Sequence, residues 1–228
     1  MKVLKYLSYI FISVFSWQSL YSQVTGGFLD FNAYRDSRGF NELTINALAK
    51  WENKWQYFSL TNFTGSSGSD DLNTFYTEQN IRKTFGESDI QFTNQNVFKS
   101  GVSNDAYRLG LRWIFSNLEL FGSLKKRCQF FASINPFFVE YDELKGVGST
   151  RVIEYVYRIS DKENKLVFSG FADQLHQLTD SLKFNWVSEH QLAIRLLKAF
   201  YAVAEYRINT FKNKPHGLGL GLEYKVMF

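Results

Sequence analysis

The chain has 228 residues, 45% of them hydrophobic and 18% aromatic, with 23 Phe, 13 Tyr and 5 Trp against 2 Pro and 1 Cys. That composition excludes a disordered or collagen-like polymer, and the single cysteine, Cys128, excludes disulfide scaffolds, structural zinc and iron–sulfur sites. Charged residues make up 21% and the mean hydropathy is -0.25. Only the N-terminal stretch is therefore greasy enough to suggest a membrane helix, and a polytopic helical membrane protein is excluded.

Residues 1–22, MKVLKYLSYIFISVFSWQSLYS, have the three parts of a secretory signal peptide: two lysines, an apolar stretch from Tyr6 to Trp17, and the small Ser22 before Gln23. The stretch is interrupted by Ser8, Ser13 and Ser16, and at about a dozen residues it falls short of the roughly 20 that span hydrocarbon. Cleavage near Ser22 is expected, and no cysteine follows that could carry a lipid. The mature chain, 23–228, is read as one domain. The leader removes two bases, leaving 24 basic and 22 acidic side chains; this balance gives no footprint for nucleic acid.

After Gln23 the Phe- and Tyr-rich runs alternate with period 2 and are separated by turn-forming stretches such as GSSGSDD, VSND, SDKENK and KNKPHG. In chain order the predicted strands are 26–35, 41–51, 55–64, 74–84, 89–99, 104–115, 128–141, 151–159, 166–175, 183–196, 199–209 and 218–228. Their number is even, and most exceed the five or six residues of an ordinary soluble strand, which suits a tilted bilayer crossing. The expected fold class is all-β: a twelve-stranded antiparallel transmembrane β-barrel of the outer-membrane type. Short connections alternate with long ones, as they do in such barrels. One connection disobeys: SNLELFGSLKKR, residues 116–127, is long for its side, so it hides a short helix or the register there is wrong. Pro136 is expected at a bulge or rim, since a central strand cannot spare its amide.

The last strand separates its faces most clearly. Leu218, Leu220, Leu222, Tyr224, Val226 and Phe228 alternate with Gly219, Gly221, Glu223, Lys225 and Met227. A soluble sandwich would show the same alternation; the aromatic positions Tyr224 and Phe228, placed as an interfacial girdle, favour the barrel. The same rule puts Asp30, Lys50, Glu78, Arg82, Arg108, Arg112, Glu154, Arg158, Asp173, Glu189, Arg195, Glu205, Arg207, Glu223 and Lys225 on the inner wall. Signs are nearly balanced, so these residues either brace the wall as ion pairs or, at a constriction, select a solute. Phe28, Tyr34, Tyr76, Phe131, Phe171 and Tyr201 share that face and are candidates to stack on a solute or simply to fill the lumen. In 55–64 and 89–99 neither face can be chosen.

The blocks LVFSGFAD (166–173), WVSEHQLAIR (186–195), VAEYRIN (203–209) and the closing GLGLEYKVMF resemble the Tsx-like, nucleoside-specific channel-forming group of outer-membrane proteins. The resemblance is strongest over the last third of the chain. It implies a monomeric twelve-stranded barrel; no individual binding residue carries over.

The resulting expectation is a passive outer-membrane channel for small hydrophilic or nucleoside-like solutes, exported by a cleaved signal peptide. Its expected partners are outer-membrane lipid, a small-molecule solute and, through Phe228, the barrel-assembly machinery, without nucleic acid and as a monomer. No catalytic residue, metal or cofactor is implied. The alternatives are a non-transporting structural barrel and a barrel enzyme acting on envelope lipid. For the enzyme only Ser188 and His190 share an outward face, and Glu189 points the other way. Glycine runs such as GVGST lack the strand–loop–helix setting of a phosphate cradle.

Overall fold

The computed structural model describes residues 23–65, 71–102, 104–144, 146–147, 150–177 and 183–228. The expected signal peptide, residues 1–22, lies outside the described residues. The alternating runs form β1 (Val24–Asp36), β2 (Asn41–Trp51), β3 (Trp55–Thr64), β4 (Thr74–Thr84), β5 (Ile90–Lys99), β6 (Ala106–Trp113), β7 (Gln129–Asp142), β9 (Thr150–Ser160), β10 (Leu166–Gln177), β11 (Lys183–Arg195), β12 (Phe200–Asn209) and β13 (His216–Met227). A two-residue strand, β8 (Gly146–Val147), folds back on the tip of β7. Each long strand pairs antiparallel with its neighbours, β1 pairs with β13, and β6 with β7. The result is a closed twelve-stranded antiparallel barrel, in which no long strand presents an unpaired edge.

The faces follow the alternation. Leu218, Leu220 and Leu222 are 45%, 59% and 56% exposed on the outside, whereas Asp30, Glu78, Glu154 and Glu223 are at most 5% exposed on the inside. The two strands whose faces the sequence leaves open are settled by register. Thr44↔Asn62, Asn62↔Tyr76 and Glu78↔Val97 turn Gln56, Phe58, Leu60, Asn62 and Thr64 of β3 inward together with Gln91, Thr93, Gln95 and Val97 of β5. The outside of this sector is itself polar, carrying Ser59, Thr61, Thr77, Gln79, Asn94 and Asn96. These groups bond to one another: Thr61 to Thr77 at 2.8 Å, Gln79 Nε2 to Thr77 Oγ1 at 2.6 Å, Asn96 Nδ2 to Asn94 Oδ1 at 3.1 Å, and the Tyr57 hydroxyl to Gln79.

The long connection after β6 does contain a helix. Two short 3-10 turns, Phe115–Asn117 and Glu119–Phe121, lead into α1 (Gly122–Arg127). Its rings form a chain, Trp113 to Phe115 to Phe121 to Phe130, with centroids 6.0, 6.1 and 5.0 Å apart. Trp113 and Phe130 belong to the outer face, so this aromatic chain runs along the outer wall. Pro136 is neither at the rim nor the bulged residue: it pairs with Ile153 inside β7, two residues from a bulge. The β6–β7 register shifts between Leu109↔Val139 and Gly110↔Phe137, which leaves Phe138 as the extra residue of a bulge. The ladder resumes at Trp113↔Ile134, passing over the position where Pro136 has no N–H to give.

The barrel closes at the β13–β1 seam. Gly27 N donates to Phe228 O at 2.9 Å and Phe228 N to Gly27 O at 3.2 Å. Higher up, the inward face of β13 is bare: a Cβ on Gly219 would sit 3.3 Å from Tyr34 Cδ1, and one on Gly217 would sit 2.5 Å from Arg38 Nε. Tyr34 can therefore lie across β13 and donate to Glu205 of β12 at 3.0 Å, while it accepts from Gln191 Nε2 of β11 at 2.6 Å. Filling this saddle should loosen the seam. Gly219→Val is expected to lower the urea midpoint of the micelle-bound barrel by the equivalent of about 1–3 kcal/mol, Gly219→Ala by less, and an unchanged midpoint for the valine variant would refute the saddle's role.

Candidate functional site

All fifteen charged positions expected on the inner wall face inward, and the structure divides them into two sets. Six are held in ion pairs. Lys225 Nζ lies 3.1 Å from Asp30 Oδ2 and 3.3 Å from Glu223 Oε1; Arg108 Nε lies 2.8 Å from Glu140 Oε2; Arg207 joins both Glu42 and Glu205. The Arg207–Glu42 pair reaches from β12 to β2 across the glycine face of β13 and over β1. Buried pairs like these brace a wall, because removing one partner strands the other in a low-dielectric space.

The other nine, Lys50, Glu78, Arg82, Arg112, Glu154, Arg158, Asp173, Glu189 and Arg195, make no ion pair among the described residues. Some have neutral partners: Gln95 Nε2 donates to Glu78 at 3.1 Å, Asn135 Nδ2 to Glu154 at 3.0 Å, Arg112 Nε to Ser133 Oγ at 3.0 Å, and Arg195 Nε to the Tyr201 hydroxyl at 3.1 Å. Arg158 reaches Ser160 and Asn164 in the adjoining turn. Several wall atoms have no hydrogen-bond partner among the described residues, including Arg82 Nε, Asp173 Oδ1, Asn80 Nδ2 and Asn135 Oδ1.

Signs segregate along the barrel axis within this unpaired set. Lys50, Arg82, Arg112, Arg158 and Arg195 all fall within the last three residues of their strands at the rim where Val24 and Met227 lie. The four acids, Glu78, Glu154, Asp173 and Glu189, occupy the middle of β4, β9, β10 and β11. Asp173 is the direct partner of Glu154 in the β9–β10 ladder, and Glu78, on the far side of the barrel, lies within electrostatic reach of Glu154, Asp173 and Glu189. Arg82 reaches Glu78 and Glu154 in the same way, and Arg112 reaches Glu154. A basic collar thus stands in series with an acidic waist.

The inward rings are mostly spoken for by cations. Lys225 Nζ is 4.4 Å above Phe28, Arg207 lies 5.0 Å from the Tyr34 ring, Arg112 5.1 Å from Phe131, Arg195 5.5 Å from Tyr201 and Lys99 6.0 Å from Tyr76. A ring face already covered by a guanidinium or ammonium is closed to a stacking base. Phe171, between Val156 and Glu189 in the sheet, carries no such cation among the described residues. On the outer wall, Ser188 is 3% exposed, and His190 Nδ1 lies 2.8 Å from the Tyr157 hydroxyl, with the two rings stacked at 6.0 Å. The histidine is oriented by a tyrosine, with its neighbour Glu189 on the opposite face.

Three lumen acids escape the sequence reading. Asp36 falls one residue past the predicted end of the first strand. Glu42 shares the face of Thr44 and Asn46, so alternation within β2 reveals it. Glu140 is inward only because the Phe138 bulge reverses the parity of β7; the proline signal at Pro136 points to an irregularity in this strand but does not fix the residue at which the parity turns.

No family model and no curated protein matches the chain. Among solved structures, it is similar to the NanC porin with a TM-score of 0.56 at 12% identity, covering 87% of this chain and 100% of that one. It is also similar to the KdgM porin, with a TM-score of 0.49 at 11% identity over 86% and 98% of the two chains. The NanC likeness shows the fold that the strand pairing gives, a closed antiparallel β-barrel.

The two charge sets should respond oppositely to neutralisation. Arg207→Met, which strands Glu42 and Glu205, is expected to cost about 3–5 kcal/mol in unfolding free energy. Asp173→Asn, which removes an unpaired buried charge, should leave stability unchanged or raise it. Equal losses in chemical denaturation of the two variants would refute the division.

Proposed function

We propose that the protein is a passive outer-membrane channel for small hydrophilic solutes, working as a single barrel from which residues 1–22 have been removed. The observation that carries this reading is the unpaired set of nine charges on the inner wall. Ion pairs alone would make a self-contained core, whereas unpaired charges and partnerless amide and guanidinium atoms need water or a polar solute beside them. The Leu and Phe rows of β11 to β13 would face acyl chains, with Tyr224 and Phe228 at the interface. Phe228, tied into the ladder beside Gly27, would be the element that the assembly machinery engages. Solute would move down its gradient between the acidic waist and the basic collar.

Two rival readings receive less support. A nucleoside would need an open aromatic face, and five of the six candidate rings hold cations. A lipid hydrolase would need His190 beside a serine and a carboxylate, and its partner is Tyr157.

Reconstitution of residues 23–228 into planar bilayers tests the proposal. Discrete conductance steps are expected, retained in Ser188→Ala. A barrel that is folded by its heat-modifiable mobility yet passes no ions would instead support the structural role, and loss of a lipid-hydrolysing activity in Ser188→Ala would support the enzyme.

A further inference from the structure

Closeness of opposite unpaired charges, rather than their number, limits what the lumen can hold. The acidic waist joins strands from opposite sides of the barrel: Glu78 from β4, and Glu154, Asp173 and Glu189 from β9 to β11. Glu78, Glu154 and Asp173 are each 5% exposed. Arg82 and Arg112, 3% and 7% exposed, adjoin the waist on the side of the basic collar. Arg82 follows Glu78 by four residues on one strand, a separation of about 13 Å at roughly 3.3 Å per residue, but across the lumen both arginines lie within electrostatic reach of Glu154. Among the described residues, Arg82 Nε and Asp173 Oδ1 are buried without hydrogen-bond partners, and so are Asn80 Nδ2 and Asn135 Oδ1 on the same wall.

This arrangement favours one class of guest. An anion entering alone meets four carboxylates, and a cation entering alone meets two arginines, each in a space where an uncompensated like charge is costly. A neutral polyol gains hydrogen bonds but adds no charge to the partial compensation that Arg82, Arg108 and Arg207 already give the acids. A solute carrying an ammonium and a carboxylate a few carbons apart compensates both charge sets at once. We infer that the waist and the adjoining arginines form a binding site for small zwitterions, held with the cationic end toward Glu78, Glu154, Asp173 and Glu189 and the anionic end toward Arg82 and Arg112. The inference rests on the channel reading for its route of entry, and it names the solute class of that channel.

The test uses the mature barrel with 4-aminobutyrate as zwitterion, erythritol as neutral solute, and butyrate and butylammonium as its singly charged counterparts. In vesicle swelling, 4-aminobutyrate is expected to enter about five-fold faster than erythritol, equivalent to roughly 1 kcal/mol of differential attraction. The preference should vanish in both Asp173→Asn/Glu189→Gln and Arg82→Gln/Arg112→Gln. Equal rates, or a preference that survives both double variants, overturns the inference. Calorimetric titration of the micelle-bound protein separates this result from a failure of the channel reading. If no solute swells the vesicles, saturable heat with 4-aminobutyrate that weakens in both variants still supports the site. No heat, or heat as large with butyrate or butylammonium alone, overturns it.

Discussion

Everything in this molecule depends on sheet closure. In hydrocarbon a backbone N–H or C=O has no water to turn to, so a strand can cross only if both its edges are paired. The β13–β1 seam completes that pairing, and it is the joint most exposed to failure because it unites the two ends of the sequence. The chain reinforces it from inside. Gly217 and Gly219 remove side chains from the inner face of β13, Arg38 and Tyr34 move into the space, and Arg207 reaches Glu42 over the top. A small-residue stretch that looks weak in isolation is what allows four strands, β11, β12, β1 and β2, to be cross-linked by side chains as well as by the ladder.

The same residue types serve two purposes in the lumen, and connectivity distinguishes them. Lys225 between Asp30 and Glu223, or Arg207 between Glu42 and Glu205, is neutralised by its own neighbours and is a structural part of the wall. Arg82 lies over Phe58, 5.5 Å from the ring centroid, with a free Nε, and its charge is available to whatever occupies the lumen. Composition cannot make this distinction, since it depends on which rung faces which.

Much of the fold was legible because a wall with one apolar and one polar face imposes period 2 on each strand. The faces of β1, β2, β6, β9, β11, β12 and β13 could be read directly. Legibility failed where that contrast fades. β3 and β5 carry Ser59, Thr61, Asn94 and Asn96 outside and Asn62, Thr93 and Gln95 inside, so neither face announces itself. It failed again at Phe138, where one inserted residue inverts parity for Glu140. The membership of the inner wall was therefore largely visible, but the pairing that separates brace from site was not, because strand register and tilt bring together residues remote in sequence, such as Glu42 and Arg207.

The polar sector of β3 to β5 shows how far residue labels can mislead about wetting. Thr61 bonds Thr77, Thr77 receives Gln79, and Asn96 turns to Asn94, so part of the hydrogen-bonding capacity of the patch is met within it. In the proposed membrane setting, each dipole satisfied inside the patch is one fewer left facing an acyl chain. An arc of hydroxyls and amides that bond to one another would in this way cost less to desolvate than its residue names suggest.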